Sequence, residues 1–554
     1  MAIRGRWQGI AAAKQQHRAS LIPAEWRLPR KPDPSTLNVL DVPARCGLLT
    51  QRELHITSDY DALALAEELK AGTFSAEETT RAFCKRAAIA QQLVNCLTEI
   101  FFDEAIERAK SLDKERASRP REQLRPLHGL PISLKDSFRV PGVDSTIGLA
   151  CFAIQPDDRT SPLPQLLLDL GAVLYCKTNV PQTLMTADSD NNVFGRTLNP
   201  NNLNLTAGGS TGGEGALIAL RGSILGIGTD VAGSIRIPSV CNGICGFKPS
   251  VGLVPYGDQR EPVVDGVAGI EPSSGPLATT VRSCEYLIKT VVEAKSWLYD
   301  PLSNHVRWQG VTPDIESLRI GVVYDDGMYT PHPPVARTMR ESVQALEAAG
   351  VVVIPIRLPD VVHAVRAANR LFCVDENKFI QELIHSTGEP FVPSVVKKDL
   401  PGSEPMNLDK LFQLTAERYG LQYRYHQLFI ENRLDAIMTP PAPHTAVQLD
   451  EWLSISYTCI WNLMDYPACV IPTGHVKSSD VKRDVSEAQY GDLDRPCYEL
   501  YTGPTEFIGA PTAVQLVGLR QEDERLLQIA KVVQRILQER GYGPIRRQAV
   551  SRAN

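Results

Sequence analysis

Long apolar runs, metal-type cysteine spacing and clustered basic charge are all missing from this 554-residue chain. No stretch of 18 apolar residues occurs. The nearest, residues 216–229, contains Arg221 and several glycines, so it reads as buried core and no membrane span is expected. Residues 1–30 are polar and basic with no apolar centre, which argues against a secretory signal. The terminal Ser551-Arg552-Ala553-Asn554 is not the Ser-Lys-Leu peroxisomal address. The net charge of −6, with no strong basic run, argues against nucleic acid as a partner, because phosphate binding needs a concentrated basic face. The twelve cysteines are scattered, and the closest pair is Cys241 and Cys245. There is no Cys-x-x-Cys and no zinc-type Cys/His spacing. Such thiols suit a reducing compartment, where they act as small buried hydrophobes, and the cytoplasm is the expected location.

What is present is the composition of an ordinary globular protein, 43% hydrophobic and 22% charged. Residues 1–55 read as an N-terminal arm of helical pieces and Pro-rich loops. Ser75-Ala76-Glu77-Glu78 is a capping box that predicts a helix from Ala76 to about Gln91. Short apolar runs then alternate with helical stretches: 172–176, 224–227, 320–323, 351–356, 436–438 and 468–471. That alternation predicts an α/β sheet. Near the end, Leu526, Ile529, Ala530, Val533, Ile536 and Leu537 form one helical stripe, with Gly541 as its stop. No repeat or linker divides the chain. One large domain over 56–545 is expected, with a more polar and aromatic insertion at about 375–430 as a candidate lid.

Three segments carry chemistry. In Gly129-Leu130-Pro131-Ile132-Ser133-Leu134-Lys135-Asp136 a lysine ends a mostly apolar run; on its own it reads as a snorkelling side chain at a strand end. Gly208-Gly209-Ser210-Thr211-Gly212-Gly213-Glu214-Gly215 is a Gly-rich turn opening a helix, which points backbone N–H groups at whatever sits there. It is not a Walker loop, lacking Gly-Lys-Ser/Thr, and the polar lead-in of residues 199–204 speaks against both the dinucleotide fingerprint and the hydrolase nucleophile elbow. In Gly228-Thr229-Asp230-Val231-Ala232-Gly233-Ser234-Ile235-Arg236 a strand runs into a small-residue turn ending at Ser234, a hydroxyl exposed enough to attack. Asp230 and Arg236 flank that turn and could pair to fix its shape.

The three segments, spaced 75 residues (135 to 210) and 24 residues (210 to 234) apart, resemble the amidase signature family. Further matching pieces are Lys177-Thr178-Asn179, Gly246-Phe247-Lys248-Pro249, Gly275-Pro276-Leu277 and Val514-Gln515-Leu516-Val517-Gly518, and Leu127-His128-Gly129-Leu130-Pro131 resembles the fungal acetamidases. The resemblance covers about residues 23–542. It implies a single α/β domain around a mixed sheet flanked by helices on both faces, with a catalytic core at about 125–285. It implies a Ser–cis-Ser–Lys triad with Ser234 as nucleophile, Ser210 as the cis-peptide relay and Lys135 as base, and an oxyanion hole from the N–H groups of Val231, Ala232, Gly233 and Ser234. Thr211, Asp230 and Arg236 are the supporting residues. Thr183, Leu184 and Met185, with Ser210, are expected to bind substrate, and residues 461–464 to line the acyl pocket. Two positions depart from the family: Thr211 replaces a serine, and Ala232 replaces a glycine. The expectation for Ala232 is a comfortable negative φ.

The chemistry explains the residue types. Amide cleavage needs a deprotonated serine, a stabilised oxyanion and a protonated leaving amine. A free lysine titrates at about 10.4, and burial lowers that by up to about 3–5 units, so Lys135 must be buried to serve as base. None of the ten histidines lies in a matching motif, and His128 reads as structural. The expected activity is hydrolysis of a small carboxylic amide to the acid and ammonia or an amine, with no metal and no organic cofactor. Esters and carbamates remain open as substrates, and a homodimer remains open as the assembly. An amidotransferase subunit feeding ammonia to a tRNA-bound partner is the alternative function, and the mildly acidic chain argues against it. Retention of Lys135, Ser210 and Ser234 together argues against an inactive binding protein.

Overall fold

Among the described residues eleven strands build one mixed sheet: β1 (Leu97–Ile100), β2 (Pro131–Lys135), β3 (Val173–Thr178), β4 (Leu225–Asp230), β5 (Cys245–Lys248), β6 (Ser273–Ala278), β7 (Arg319–Val322), β8 (Val352–Pro355), β9 (Ala436–Thr439), β10 (Ala468–His475) and β11 (Pro511–Val517). Their order is β1-β3-β2-β4-β6-β5-β10-β11-β9-β7-β8. The computed structural model describes residues 6–310, 312–397 and 405–543. The C-terminal tetrapeptide, residues 398–404 of the candidate lid and the last two residues of the expected domain lie outside the described residues. Among the described residues no helix is long and apolar enough to cross a membrane.

β2 lies between β3 and β4 and is parallel to both, whereas β4–β6, β6–β5, β5–β10 and β10–β11 are antiparallel. Each of the six apolar runs coincides with a strand, reaching at most one residue beyond either end. Strand alternation sends successive residues to opposite faces. On one face Leu277 packs with Ile218, Ile235 and Ile244 beneath the Gly212–Ala219 and Arg236–Asn242 helices. On the other, Cys245 and Ala278 join the main core with residues of the Val281–Glu293 and Asp523–Glu539 helices. The expected stripe of the last helix is buried at all six positions, and full burial of each large aliphatic side chain contributes about 1.5–3 kcal/mol. Gly541 follows that helix at φ +81°.

Two boundaries differ from expectation. The Ala76–Val94 helix, with Ser75 Oγ accepting from Glu78 N–H, runs a turn past Gln91, because Leu93 and Val94 find core contacts and only Asn95, left-handed at φ +54°, ends it. β4 extends through Gly228, Thr229 and Asp230, which pair with Gly275, Ser274 and Ser273 of β6. Those small residues read as turn because they lack apolar side chains; the ladder partner makes them strand.

The N-terminal segment lies against edge strand β1. Arg18 donates to Leu97 O, and Lys14 Nζ stands 2.5 Å from Glu99 and 2.8 Å from Asp144.

Candidate active site

Lys135 is the last residue of β2 and is fully buried, so the snorkelling reading does not hold. Its Nζ donates to Ser210 Oγ at 2.6 Å and to Thr229 Oγ1 at 2.7 Å, with Thr229 O at 3.5 Å. Burial pushes the ammonium down to about 7, against the opposing pull of Asp230 and Asp136. Ser210 follows a cis peptide bond after Gly209 and is buried. Thr211 ties its loop to the next segment: its N–H donates to Ser234 O at 3.2 Å, and its hydroxyl to Thr229 O at 3.4 Å.

The turn after β4 is shaped by one carboxylate. Asp230 Oδ1 accepts from Gly233 N–H at 2.8 Å and Oδ2 from Ile235 N–H at 3.1 Å. Arg236 grips it bidentately, Nε to Oδ2 at 3.0 Å and Nη2 to Oδ1 at 2.9 Å. Burial alone would raise the Asp230 carboxyl; the guanidinium and the Asn462 amide outweigh it and hold the group well below the usual carboxylate range. Gly233 sits at φ +129°, where a Cβ would come within 2.5 Å of Thr458 Oγ1, so only glycine fits. Ala232 is not among the residues with positive φ. The left-handed demand of this turn falls one residue later than the departure from the family.

Of the four expected oxyanion donors, Gly233 N–H is therefore already engaged by Asp230. The N–H groups of Val231, Ala232 and Ser234 have no acceptor among the described residues. Unpaired backbone donors at a largely buried turn are rare. Ser234 is 9% exposed, and Val231 and Ala232 are partly exposed.

The Thr183–Met185 loop is unusual. Thr183 has φ +80° and Leu184 φ +60°, and positive φ on a β-branched residue costs about 1–3 kcal/mol. The next residue in the chain, Thr186, brings its carbonyl against Gly209, where a Cβ would stand 2.3 Å from it. Leu184 packs with Ile147, Leu149, Ile380 and Ile384. The first part of the candidate lid is stitched to this loop. Gln182 Nε2 donates to Glu389 Oε2 at 3.1 Å and Pro390 O at 3.0 Å, and Gln182 Oε1 accepts from Val392 N–H at 3.0 Å.

One expectation is corrected. Residues 461–464 do not form an apolar lining as a block. Asn462 joins the charged brace, donating to Asp230 Oδ1 at 2.9 Å and accepting from Arg236 Nη2 at 2.6 Å, while Trp461 is buried in a cluster with Tyr425 and Tyr466. On a helix, neighbouring residues point about 100° apart, so a run of four cannot share one surface. Sequence reasoning also missed Thr229, Thr458 and Gln515; Arg236 Nη1 donates to Thr458 O and Gln515 Oε1, each at 3.0 Å. Thr229 was within reach, since it lies inside the Gly228–Arg236 segment two residues from the turn. Gln515, 279 residues from Arg236, carries no local signal. His128 is buried, and burial pushes its imidazole down.

A family model described as Amidase matches residues 78–527. An amidase from Gibberella moniliformis is 37% identical over 95% of this chain and 98% of its own. An acetamidase from Emericella nidulans is 36% identical, covering 96% and 98% of the two chains. A solved structure of fatty acid amide hydrolase superposes with a TM-score of 0.92 at 30% identity, over 96% of this chain and 95% of that one.

Proposed function

Because the chain belongs to the amidase family, and is thus a hydrolase of amide C–N bonds, we propose that it acts through a Ser234–Ser210–Lys135 triad. The Ser234 hydroxyl attacks the amide carbonyl carbon, and its proton passes through Ser210 to the neutral Lys135 amine. Collapse of the tetrahedral intermediate breaks the C–N bond as the proton returns to the leaving nitrogen, giving ammonia or an amine and an acyl-Ser234 ester. Water, activated by the same relay, then releases the acid.

The observation that carries this reading is Lys135: fully buried, 2.6 Å from Ser210 Oγ, and pushed down to about 7. A base must be unprotonated near working pH. The unpaired N–H groups of Val231, Ala232 and Ser234 support an oxyanion site made of three donors, with Gly233 held back to shape the turn. The strained Thr183–Leu184 backbone and its ties to residues 389–392 support a substrate-binding loop covered by a lid. The relative named acetamidase supports a small acyl group.

The test is a panel of primary amides graded in acyl length, with ammonia release measured for the wild type and Ser234→Ala. The short amides are expected to turn over, and the variant to lose at least about 10⁴-fold in kcat with its melting temperature kept. Activity of Ser234→Ala within tenfold of the parent would overturn the assignment.

A further inference from the structure

We propose that Glu214 is a positioning residue held as the neutral carboxylic acid, clamping the Ser210 helix onto the Lys135 strand and releasing that clamp when it loses its proton in alkali. This rests on the reading of Ser210 and Lys135 as relay and base.

Glu214 Oε2 lies 2.6 Å from Ser133 Oγ, Ser133 Oγ lies 2.8 Å from Ser223 Oγ, and Ser223 Oγ lies 3.0 Å from Leu225 O. Three oxygen–oxygen contacts need three protons. The two serines supply two and the carbonyl none, so the third comes from the Glu214 carboxyl. Its other oxygen, Oε1, accepts from Thr178 Oγ1 at 3.0 Å. The protonated acid therefore uses one donor and one acceptor, and both are matched.

The place of this chain in the fold gives it consequence. Ser133 lies two residues before Lys135, on the same face of β2. Thr178 is the register partner of Lys135 on β3, and Ser133 pairs with Gly226 on β4. The seat exists because Gly226 has no side chain: a Cβ there would stand 2.1 Å from Glu214 Oε2. Glu214 is in the first turn of the Gly212–Ala219 helix, three residues after Thr211. One carboxyl thus ties the start of that helix to β2 and β3, and with it sets the distance from Ser210 to Lys135.

Among the described residues no cation acts on it. From β3 and the start of β1 the titratable neighbours are Tyr175, Cys176 and Cys96, all kept neutral by burial. On the Ala76–Val94 helix, Cys84 is likewise neutral, and Arg86 donates to Leu220 O and Thr57 Oγ1. On the Arg236–Asn242 helix, Cys241 is neutral and Arg236 is closed on Asp230. Lys135 is committed to Ser210 and Thr229. Burial raises the carboxyl to about 8, against the lowering pull of its hydrogen bonds with Ser133 and Thr178. Ionisation would leave the chain one proton short.

Glu214→Gln tests this, since the amide offers the same donor and acceptor and cannot ionise. Its kcat near neutral pH should stay within about threefold of wild type, and the fall of wild-type kcat on the alkaline side should vanish. Glu214→Leu, without either group, should lose at least about tenfold in kcat at every pH with a smaller change in KM. An infrared difference spectrum, wild type minus Glu214→Gln, should show a protonated-carboxyl stretch near neutral pH. An alkaline fall retained in Glu214→Gln, a wild type without such a fall, or a missing carboxyl band would each overturn the proposal. So would a Glu214→Gln chain that does not fold. Lys135→Ala run alongside separates the two readings: if it keeps full activity, the base assignment fails, while the infrared result still decides the state of Glu214.

Discussion

Glu214 and Asp230 are both wholly buried carboxyls at the ends of the segments that meet around Lys135, yet they hold opposite charge states. Asp230 faces the Arg236 guanidinium, the Asn462 amide and two backbone N–H groups, and it is ionised. Glu214 faces hydroxyls, and it keeps its proton. Burial opposes charge in both places, and the partners differ: a bidentate guanidinium repays desolvation and a serine does not. Around the lysine, then, one acid shapes a turn by being an anion, and the other clamps a helix by not being one.

The largest effect tests the lysine between them. Lys135→Ala should lower kcat by about 10²–10⁴-fold, with partial recovery at high pH, where hydroxide replaces the base. The wild-type rate should rise through an apparent pKa of about 7 on the acid side. A pH–rate profile of unchanged shape in the variant would break the picture.

Next is the brace. Arg236→Met leaves Asp230 buried without its cation, and breaking such a pair costs about 3–5 kcal/mol. Urea unfolding with kcat measured in parallel should show loss of both; a destabilisation below about 1 kcal/mol would place the pair among those of no consequence.

The comparison is sharpened by stability against pH. Glu214 has a folded pKa raised from 4.5 to about 8, so its stabilising contribution is complete below 4.5 and is lost as pH rises through 8. Asp230 has a depressed folded pKa, so its contribution is present above 3.8 and is lost as pH falls. The stability difference between Glu214→Gln and wild type should therefore grow in favour of the variant from 4.5 to 8, measured by melting temperature. A difference independent of pH would place both acids in the same state.

The smallest effect is expected at Ala232. With a negative φ there and the strain carried by Gly233, Ala232→Gly should bring no gain in kcat and lose up to about 1 kcal/mol of stability. A faster variant would show that alanine misaligns the oxyanion donors.

Local chemistry made much of this legible. The capping serine, the apolar alternation and the last helical stripe are written in neighbouring residues, because propensity, capping and periodicity act over a few positions. The segments holding Lys135, Ser210 and Ser234 stand out because their Gly-rich and apolar surroundings are contiguous in sequence, while the roles given to these residues come from the family resemblance. Other features are decided only when distant strands pair. Gly228–Asp230 become strand through β6, and Lys135 loses its water because β3 and β4 flank it on a covered face. Glu214 finds its hydroxyls across Gly226, and Arg236 reaches Gln515 across the sheet. Charge state in particular cannot be read from a residue's neighbours in sequence. It is set by burial and by partners that the tertiary structure alone supplies.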